Sequence, residues 1–348
     1  MKTRFTPHPW ALRGLAFAGG YYTFRRVRSF FLTKNLQGKI VLITGGSKGL
    51  GMILARNFAR EGARVAICAR SVEELEKARS WIHKEAGASI LAVPCDVSHP
   101  DEVDLLVNHV SRVYGPIDIL VNNAGTIAVA PLEATNVDDF KRAQDSMFWG
   151  MLYPTFAVLR SMRERKRGQI VNITSIGAII SVPHLIPYSS AKFAALGFSL
   201  GLYTELKPHG IKVTTILPGL MRTGSFINAE FKGLKEKEYK WFSVAASLPF
   251  LSLSAERAAS KIMDAVVNEA SFRILGLPAQ VGATLYSIFP QFSLFGLSLI
   301  NRLLPKGDSS LRDTSPPTAG KHLKKDKETA TLRLLKGLGT SAIKSYQT

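Results

Sequence analysis

The chain has 348 residues, 46% apolar and 20% charged, so it can bury a sizeable core and lies outside the composition of a disordered chain. Its net charge of +19 would fit a nucleic-acid binder, but residues 1–39 hold eight basic residues and no acid, residues 301–348 hold ten basic against four acidic, and the stretch between carries only +5. No recognition motif accompanies the basic ends, so specific nucleic-acid binding is not expected; basic segments beside apolar ones point to an anionic membrane surface or to solubilising tails.

Residues 1–38 form a basic and apolar extension. The uncharged run between Arg13 and Arg25 has eleven residues, too few to span a bilayer. Arg25, Arg26 and Arg28 then precede Phe30, Phe31 and Leu32. Three readings stay open: an interfacial anchor, an arginine-rich transit peptide, and an extension that packs on the body.

From Lys39 to Pro278, short apolar runs alternate with stretches of helical periodicity. Ile40–Ile43, Val65–Cys68, Ile90–Val93, Ile117–Val121, Ile170–Ile173 and Val213–Leu217 predict buried strands, with a last strand at Phe272–Leu277. Leu50–Arg60, Val72–Glu85, Asp101–Tyr114, Asp138–Arg163, Tyr188–Leu206 and Ala255–Ala270 predict helices. Strands alternating with helices predict an α/β, Rossmann-type, doubly wound parallel sheet with helices on both faces. Ligands of such sheets bind beyond the carboxyl ends of the strands. The domain boundaries are therefore set at 39–278 for this body, 279–304 for an apolar C-terminal segment and 305–348 for a basic, partly disordered tail with a weak amphipathic helix at 329–345. Residues 274–300 carry no charge, but Pro278, Pro290, Gln280 and Gln291 argue against a transmembrane helix and for a substrate lid, a membrane-facing patch, or both. Cys68 and Cys95, the two cysteines, end apolar runs without metal-ligand spacing or a disulfide framework, which points to a reducing, cytoplasmic setting, with peripheral membrane contact as the variant.

The first strand runs into Thr44-Gly45-Gly46-Ser47-Lys48-Gly49-Leu50-Gly51 and then a helix. Glycines there let the chain turn sharply and aim backbone N–H groups at a pyrophosphate, and the helix N-terminus favours the anion. The second strand ends at Arg70 with no acid at its tip, and Lys48 lies in the loop. An acid would accept the ribose 2′-hydroxyl, whereas cations accommodate a 2′-phosphate, so the cofactor expected is NADP(H). Glu73 and Glu74 read as the first turn of a helix.

Ser175 follows the Ile170–Ile173 strand, and Tyr188 comes thirteen residues later, four before Lys192. That spacing puts Tyr188 and Lys192 on one helix face. A neighbouring ammonium stabilises a phenolate and lowers the tyrosine pKa from its usual value of about 10, which brings proton exchange toward neutrality. A serine at a strand's carboxyl end can donate a hydrogen bond to a substrate oxygen.

Four motifs stand in order: Thr44-Gly45-x3-Gly49-x-Gly51, Asn122-Asn123-Ala124-Gly125, Ser175 with Tyr188-x3-Lys192, and Pro218-Gly219 with Thr223. On these the chain resembles the short-chain dehydrogenase/reductase family over about residues 38–278. The resemblance implies one Rossmann-type domain with a seven-stranded parallel sheet. It implies Asp96 with Val97 at the adenine, Asn122, Ala124 and Gly125 along the cofactor, and Lys192 on the nicotinamide ribose. Pro218, Gly219 and Thr223 would embrace the carboxamide. It also implies a homodimer or homotetramer built on helices 138–163 and 187–206. One position departs from the pattern: where the family carries an asparagine that holds a water in a proton relay to the lysine, this chain has Met147, which cannot support the relay in that way.

Met221, Phe226, Ile227, Phe231, Trp241 and Phe242 follow Pro218 and are read either as an apolar wall for a lipophilic ketone, aldehyde or alcohol, or as the packing of a helical lid. The function expected is an NADP(H)-dependent oxidoreductase interconverting carbonyl and alcohol, with Tyr188 as acid/base. The reductive direction follows from cells keeping NADPH reduced. The alternative, favoured by Met147, is a noncatalytic NADP(H)-binding sensor or membrane-associated scaffold. An isomerase, epimerase or dehydratase would ask for further site groups that the sequence does not display.

Overall fold

All seven expected strands form, and they join one parallel sheet. In chain order they are β1 (Ile40–Thr44), β2 (Arg64–Ala69), β3 (Leu91–Pro94), β4 (Ile119–Asn122), β5 (Gly168–Ile173), β6 (Ile211–Pro218) and β7 (Phe272–Leu275). Across the sheet they run β7-β6-β5-β4-β1-β2-β3. The computed structural model describes residues 36–306, 316–323 and 346; the extension up to residue 35 and the helix expected at 329–345 lie outside the described residues.

Strand order reverses between β1 and β4, which makes the crevice at their carboxyl ends the binding position of this architecture. The five inner strands are largely buried, which is why they read as continuous apolar runs; the edge strands β3 and β7 are partly exposed. On one face Val41, Ile43, Val65 and Ile67 meet Leu54 and Phe58 of α1 (Gly49–Arg60), Leu75 of α2 (Val72–Ala86) and Ile262 of α8 (Ala255–Val267). On the other, Ile40, Leu42, Cys68 and Leu120 meet Val103 and Val110 of α3 (Pro100–Tyr114), Val158 and Met162 of α5 (Gly150–Glu164) and Leu206 of α6 (Ile186–Leu206). Each such side chain, taken fully from water, contributes about 1.5–3 kcal/mol before entropy is counted.

The stretch expected as one helix over 138–163 is interrupted. α4 (Val137–Gln144) starts at a capping box made by Asn136 and Asp139, then a π-helical turn spans Asp145–Trp149 before α5 begins. Pro154, one turn into α5, has no N–H for the carbonyl of Gly150, and a side chain at Gly150 would stand 2.8 Å from Val97. The widened turn carries Met147 into the interior. The last strand stops two residues sooner than expected, because Gly276 turns the chain at φ +98° and Pro278 opens a helix.

Two short accessory sheets stand beyond the carboxyl edge. Leu220–Arg222 pairs with Ser252–Ser254, and Glu230–Phe231 lies between Ala128–Val129 and Thr318–Ala319. α7 (Lys235–Ser247) closes this side. The uncharged C-terminal segment forms α9 (Leu277–Ile288) and α10 (Pro290–Leu303); α9 buries Ala279 and Ala283, and α10 buries no residue. No helix among the described residues is long and apolar enough to cross a membrane.

Candidate active site

The glycine loop sits at the end of β1, Arg70 at the tip of β2, and Asp96 and Val97 just past β3. Asn122–Gly125 follow β4, Ser175 follows β5, and Pro218–Thr223 leave β6. Every sequence-predicted site residue thus stands at one edge of the sheet, or on α6 beside it.

The loop is wrapped tightly on the helix it precedes. Gly45 takes φ +64°, and a Cβ on Gly51 would lie 2.2 Å from the Gly45 carbonyl oxygen, so a larger residue at 51 forces the backbone apart. Two residues not singled out from the sequence brace this wrap. The Thr44 hydroxyl accepts from the N–H groups of Asn123 (3.0 Å) and Ala124 (3.1 Å), and the Asn123 amide donates to the carbonyls of Thr44 and Gly45 at 3.0 Å each. Thr44 and Asn123 lie inside the quoted motifs, so their sequence signal is adjacency alone. The cradle fits a dinucleotide pyrophosphate: the loop turns at glycines and the start of α1 points its free N–H groups there.

The two cations expected at the adenosine ribose differ. Lys48 Nζ donates to Glu74 at 2.8 Å and reaches Asn228 at 3.5 Å, while the Ser47 hydroxyl also donates to Glu74 at 3.3 Å. Glu74 is more than a helix-start residue; it holds the loop cation. Arg70 is exposed and makes no ion pair among the described residues, and its charge bears on Asp96. Burial works against ionisation of Asp96, but hydrogen bonds from Ser98 and the nearby Arg70 and His99 outweigh it and hold the carboxyl below its usual range.

Asn122 faces inward. Its amide nitrogen donates to Thr155 (3.0 Å) and Asn172 (2.9 Å), Asn172 donates to Ser199 (2.9 Å), and Ser199 meets Thr215 at 2.7 Å. This buried polar chain ties β4, β5, β6, α5 and α6 together behind the site, and the Asn122 side chain serves it rather than the cleft.

Ser175 is half-buried, and its oxygen accepts from the Gly177 N–H at 3.0 Å, which leaves its own hydrogen to donate. Tyr188 and Lys192 share a face of α6, with the ammonium 5.9 Å from the phenol ring centre. Lys192 is buried and donates to the Ile173 carbonyl at 3.1 Å, so it pins α6 to the end of β5. Burial pushes its pKa down to about 8. The expectation that the ammonium lowers the Tyr188 pKa is corrected. Burial raises it above the ordinary value, and a hydrogen bond from Ser175 opposes that rise without overcoming it. A phenol so placed keeps its proton at neutral pH and is set to donate it.

Met147 packs with Ala143 and Ala191 against Tyr188, and a Cβ on Gly125 would meet it at 3.1 Å. Met147 thus presents apolar atoms to Tyr188 and Gly125. Of the residues read as a substrate wall, Phe226, Phe231 and Phe242 are buried together in a closed core with Val129 and Leu185. They pack the lid rather than line a cleft. An apolar groove of about 540 Å³ lies elsewhere, lined by Ala178, Ile179, Phe193, Leu196, Leu200 and Tyr286.

A glycine-wrapped crevice at a topological switch point, with a serine, a tyrosine and a lysine beside it, defines a dinucleotide-dependent oxidoreductase. The short chain dehydrogenase family model matches residues 39–231. A fatty acyl-CoA reductase of Acinetobacter baylyi is 32% identical over 281 residues, 80% of this chain and 89% of that protein. The 11-beta-hydroxysteroid dehydrogenase 1A of Arabidopsis thaliana is 31% identical over 259 residues, 72% of each chain. Among solved structures, L-sorbose reductase from Gluconobacter frateurii complexed with NADPH and L-sorbose superposes with a TM-score of 0.61 at 28% identity, covering 69% of this chain and 95% of that one. The chain belongs to the short-chain dehydrogenase/reductase family.

Proposed function

We propose that this protein is an NADP(H)-dependent reductase of a lipophilic ketone or aldehyde, with Ser175, Tyr188 and Lys192 as its catalytic groups. The observation that carries the reading is the meeting of these three side chains at the carboxyl end of β5: the Lys192 ammonium is anchored on Ile173 and lies 5.9 Å from the Tyr188 ring centre, and Tyr188 and Ser175 both flank Gly177.

When bound, NADPH supplies the hydride that reaches the carbonyl carbon. Ser175 donates a hydrogen bond to the carbonyl oxygen, and Tyr188 delivers its proton there as negative charge develops. The raised pKa of Tyr188 suits an acid better than a base, which supports reduction as the working direction. Gly45, Ser47, Gly49, Leu50 and Gly51 would hold the pyrophosphate, Asp96 and Val97 the adenine, and Ala124, Gly125, Pro218, Gly219 and Thr223 the nicotinamide side. Lys192 would hold the ribose there, with its ammonium present below about pH 8. Relatives named for fatty acyl-CoA reduction and 11-beta-hydroxysteroid dehydrogenation support a lipophilic substrate. Exposed Trp149, Phe156, Phe193 and Leu200 on the α4–α5 stretch and on α6 support a homo-oligomer.

NADP(H) preference rests on Arg70. Arg70→Asp is expected to weaken NADPH binding by about 10–100-fold, the worth of one charge-assisted phosphate contact, and to leave NADH binding unchanged. Titration of both cofactors by fluorescence checks this; equal losses for the two would remove the phosphate assignment.

A second reading, a noncatalytic NADP(H)-binding protein, is favoured by the packing of Met147 against Tyr188. Met147→Asn separates the two. In a slow enzyme, a restored amide raises kcat by up to about tenfold, a fraction of what general acid–base assistance contributes. A wild type that binds NADPH tightly yet consumes none of it across a broad panel of medium- and long-chain carbonyls would decide for the sensor.

A further inference from the structure

We infer that the α9–α10 hairpin is a docking surface for an anionic lipid bilayer, lying in the plane of the interface. α9 turns its alanines to the body and leaves Val281, Leu285 and Ile288 exposed at spacings of four and three. α10 leaves Phe292, Phe295 and Leu299 exposed at spacings of three and four. Phe292 is 73% exposed, and no residue of α10 is buried. Apolar stripes on two consecutive helices exceed the scattered exposed side chains of an ordinary surface, and they require an apolar partner.

Charge selects that partner. Residues 274–300 contain no charged side chain, and the cations Arg273, Arg302 and Lys306, all exposed, bracket them. The whole chain carries +19, most of it in the segments before residue 40 and after residue 300. An uncharged apolar segment with cations at both of its ends matches the acyl boundary and anionic headgroups of a bilayer. A second copy of this chain would bring the same excess of cations, and no complementary acids from residues 274–306, to that face. The fourteen residues of α10 reach about 21 Å, short of the ~30 Å hydrocarbon core, so the helix lies in the interface and does not span it. The apolar groove of α6 is bounded by Tyr286, Ser287 and Pro290 of the hairpin, so its lining is continuous with the docked face.

The test is sedimentation of the full chain with phosphatidylcholine vesicles, alone or mixed with phosphatidylglycerol, beside Phe292→Glu/Phe295→Glu. The wild type is expected to sediment with the mixed vesicles, and less so at high salt. The double variant should partition at least about tenfold more weakly while binding NADPH as the wild type does. Failure of the wild type to bind mixed vesicles overturns the proposal. So does a double variant that binds them equally well, which would assign binding to the basic segments alone. A wild-type dimer in vesicle-free buffer that the double variant dissolves would give the face to a second copy. Turnover on a water-soluble aldehyde is measured without vesicles, so a failed reductase reading leaves the docking result standing.

Discussion

If the protein reduces carbonyls as proposed, Tyr188→Phe is expected to lower kcat by about a thousandfold and to leave NADPH affinity unchanged. The phenylalanine keeps the ring that packs on Met147 and removes only the hydroxyl. A positioned acid contributes about 10²–10⁴-fold. The pH profile carries a second signature of the same site. Lys192 is pushed down to about 8 by burial, so its ammonium is intact below that value and is lost as pH rises through it. Tyr188 moves the opposite way and stays protonated across the same range. Reductive turnover is therefore expected to decline above about pH 8, with that limb set by Lys192. Stopped-flow NADPH oxidation between pH 6 and about 10 tests both statements. Substrate-dependent oxidation by Tyr188→Phe at the wild-type rate would remove the tyrosine from the chemistry.

What the sequence made legible was set by local rules. Seven strands were visible because β-branched runs bounded by turn residues leave little choice, and the glycine loop because its spacing occurs between a strand and a helix. Residues placed by chain position alone, such as Arg70 at the tip of β2, came out where expected. What was hidden depends on contacts across the chain. The Lys48–Glu74 pair joins residues 26 apart, and the Asn122–Asn172 bond joins residues 50 apart; neither leaves a periodic trace. Phe226, Phe231 and Phe242 look alike whether they line a cleft or fill a core, and only the partners Val129 and Leu185 decide it. The sign of the Tyr188 shift was hidden for a related reason. The i, i+4 spacing reveals the ammonium, but burial, the larger influence, is a property of everything packed around the ring.

The same logic of distant pairing governs the prediction with the largest effect on stability. Asp139→Ala costs about 3–5 kcal/mol, a large share of the roughly 5–15 kcal/mol that holds a domain folded. Asp139 and Lys232 are each only 4% exposed and meet at 2.8 Å, 93 residues apart in sequence. Asp139 also accepts from the Asn136 N–H at 2.8 Å and pairs with Arg142, so one carboxylate caps α4 and neutralises a buried ammonium. Deleting it strands the Lys232 charge where water cannot reach it. Lys232→Met is milder, because the carboxylate keeps Arg142 and the Asn136 N–H and the replacement fills similar space with apolar atoms. Lys141→Ala is the control: its pair with Asp138 is exposed at 3.5 Å and is worth at most about 0.5 kcal/mol. Urea melts read all three, with the midpoint moving and the slope constant. Lys232 follows Phe231 directly, in the segment that leads from Thr223 into α7, so the loss also loosens the lid beside the cleft. Asp139→Ala should then raise KM for a bulky carbonyl before it lowers kcat. A midpoint as little changed as that of Lys141→Ala would mean that the pair is solvated and does not hold the lid.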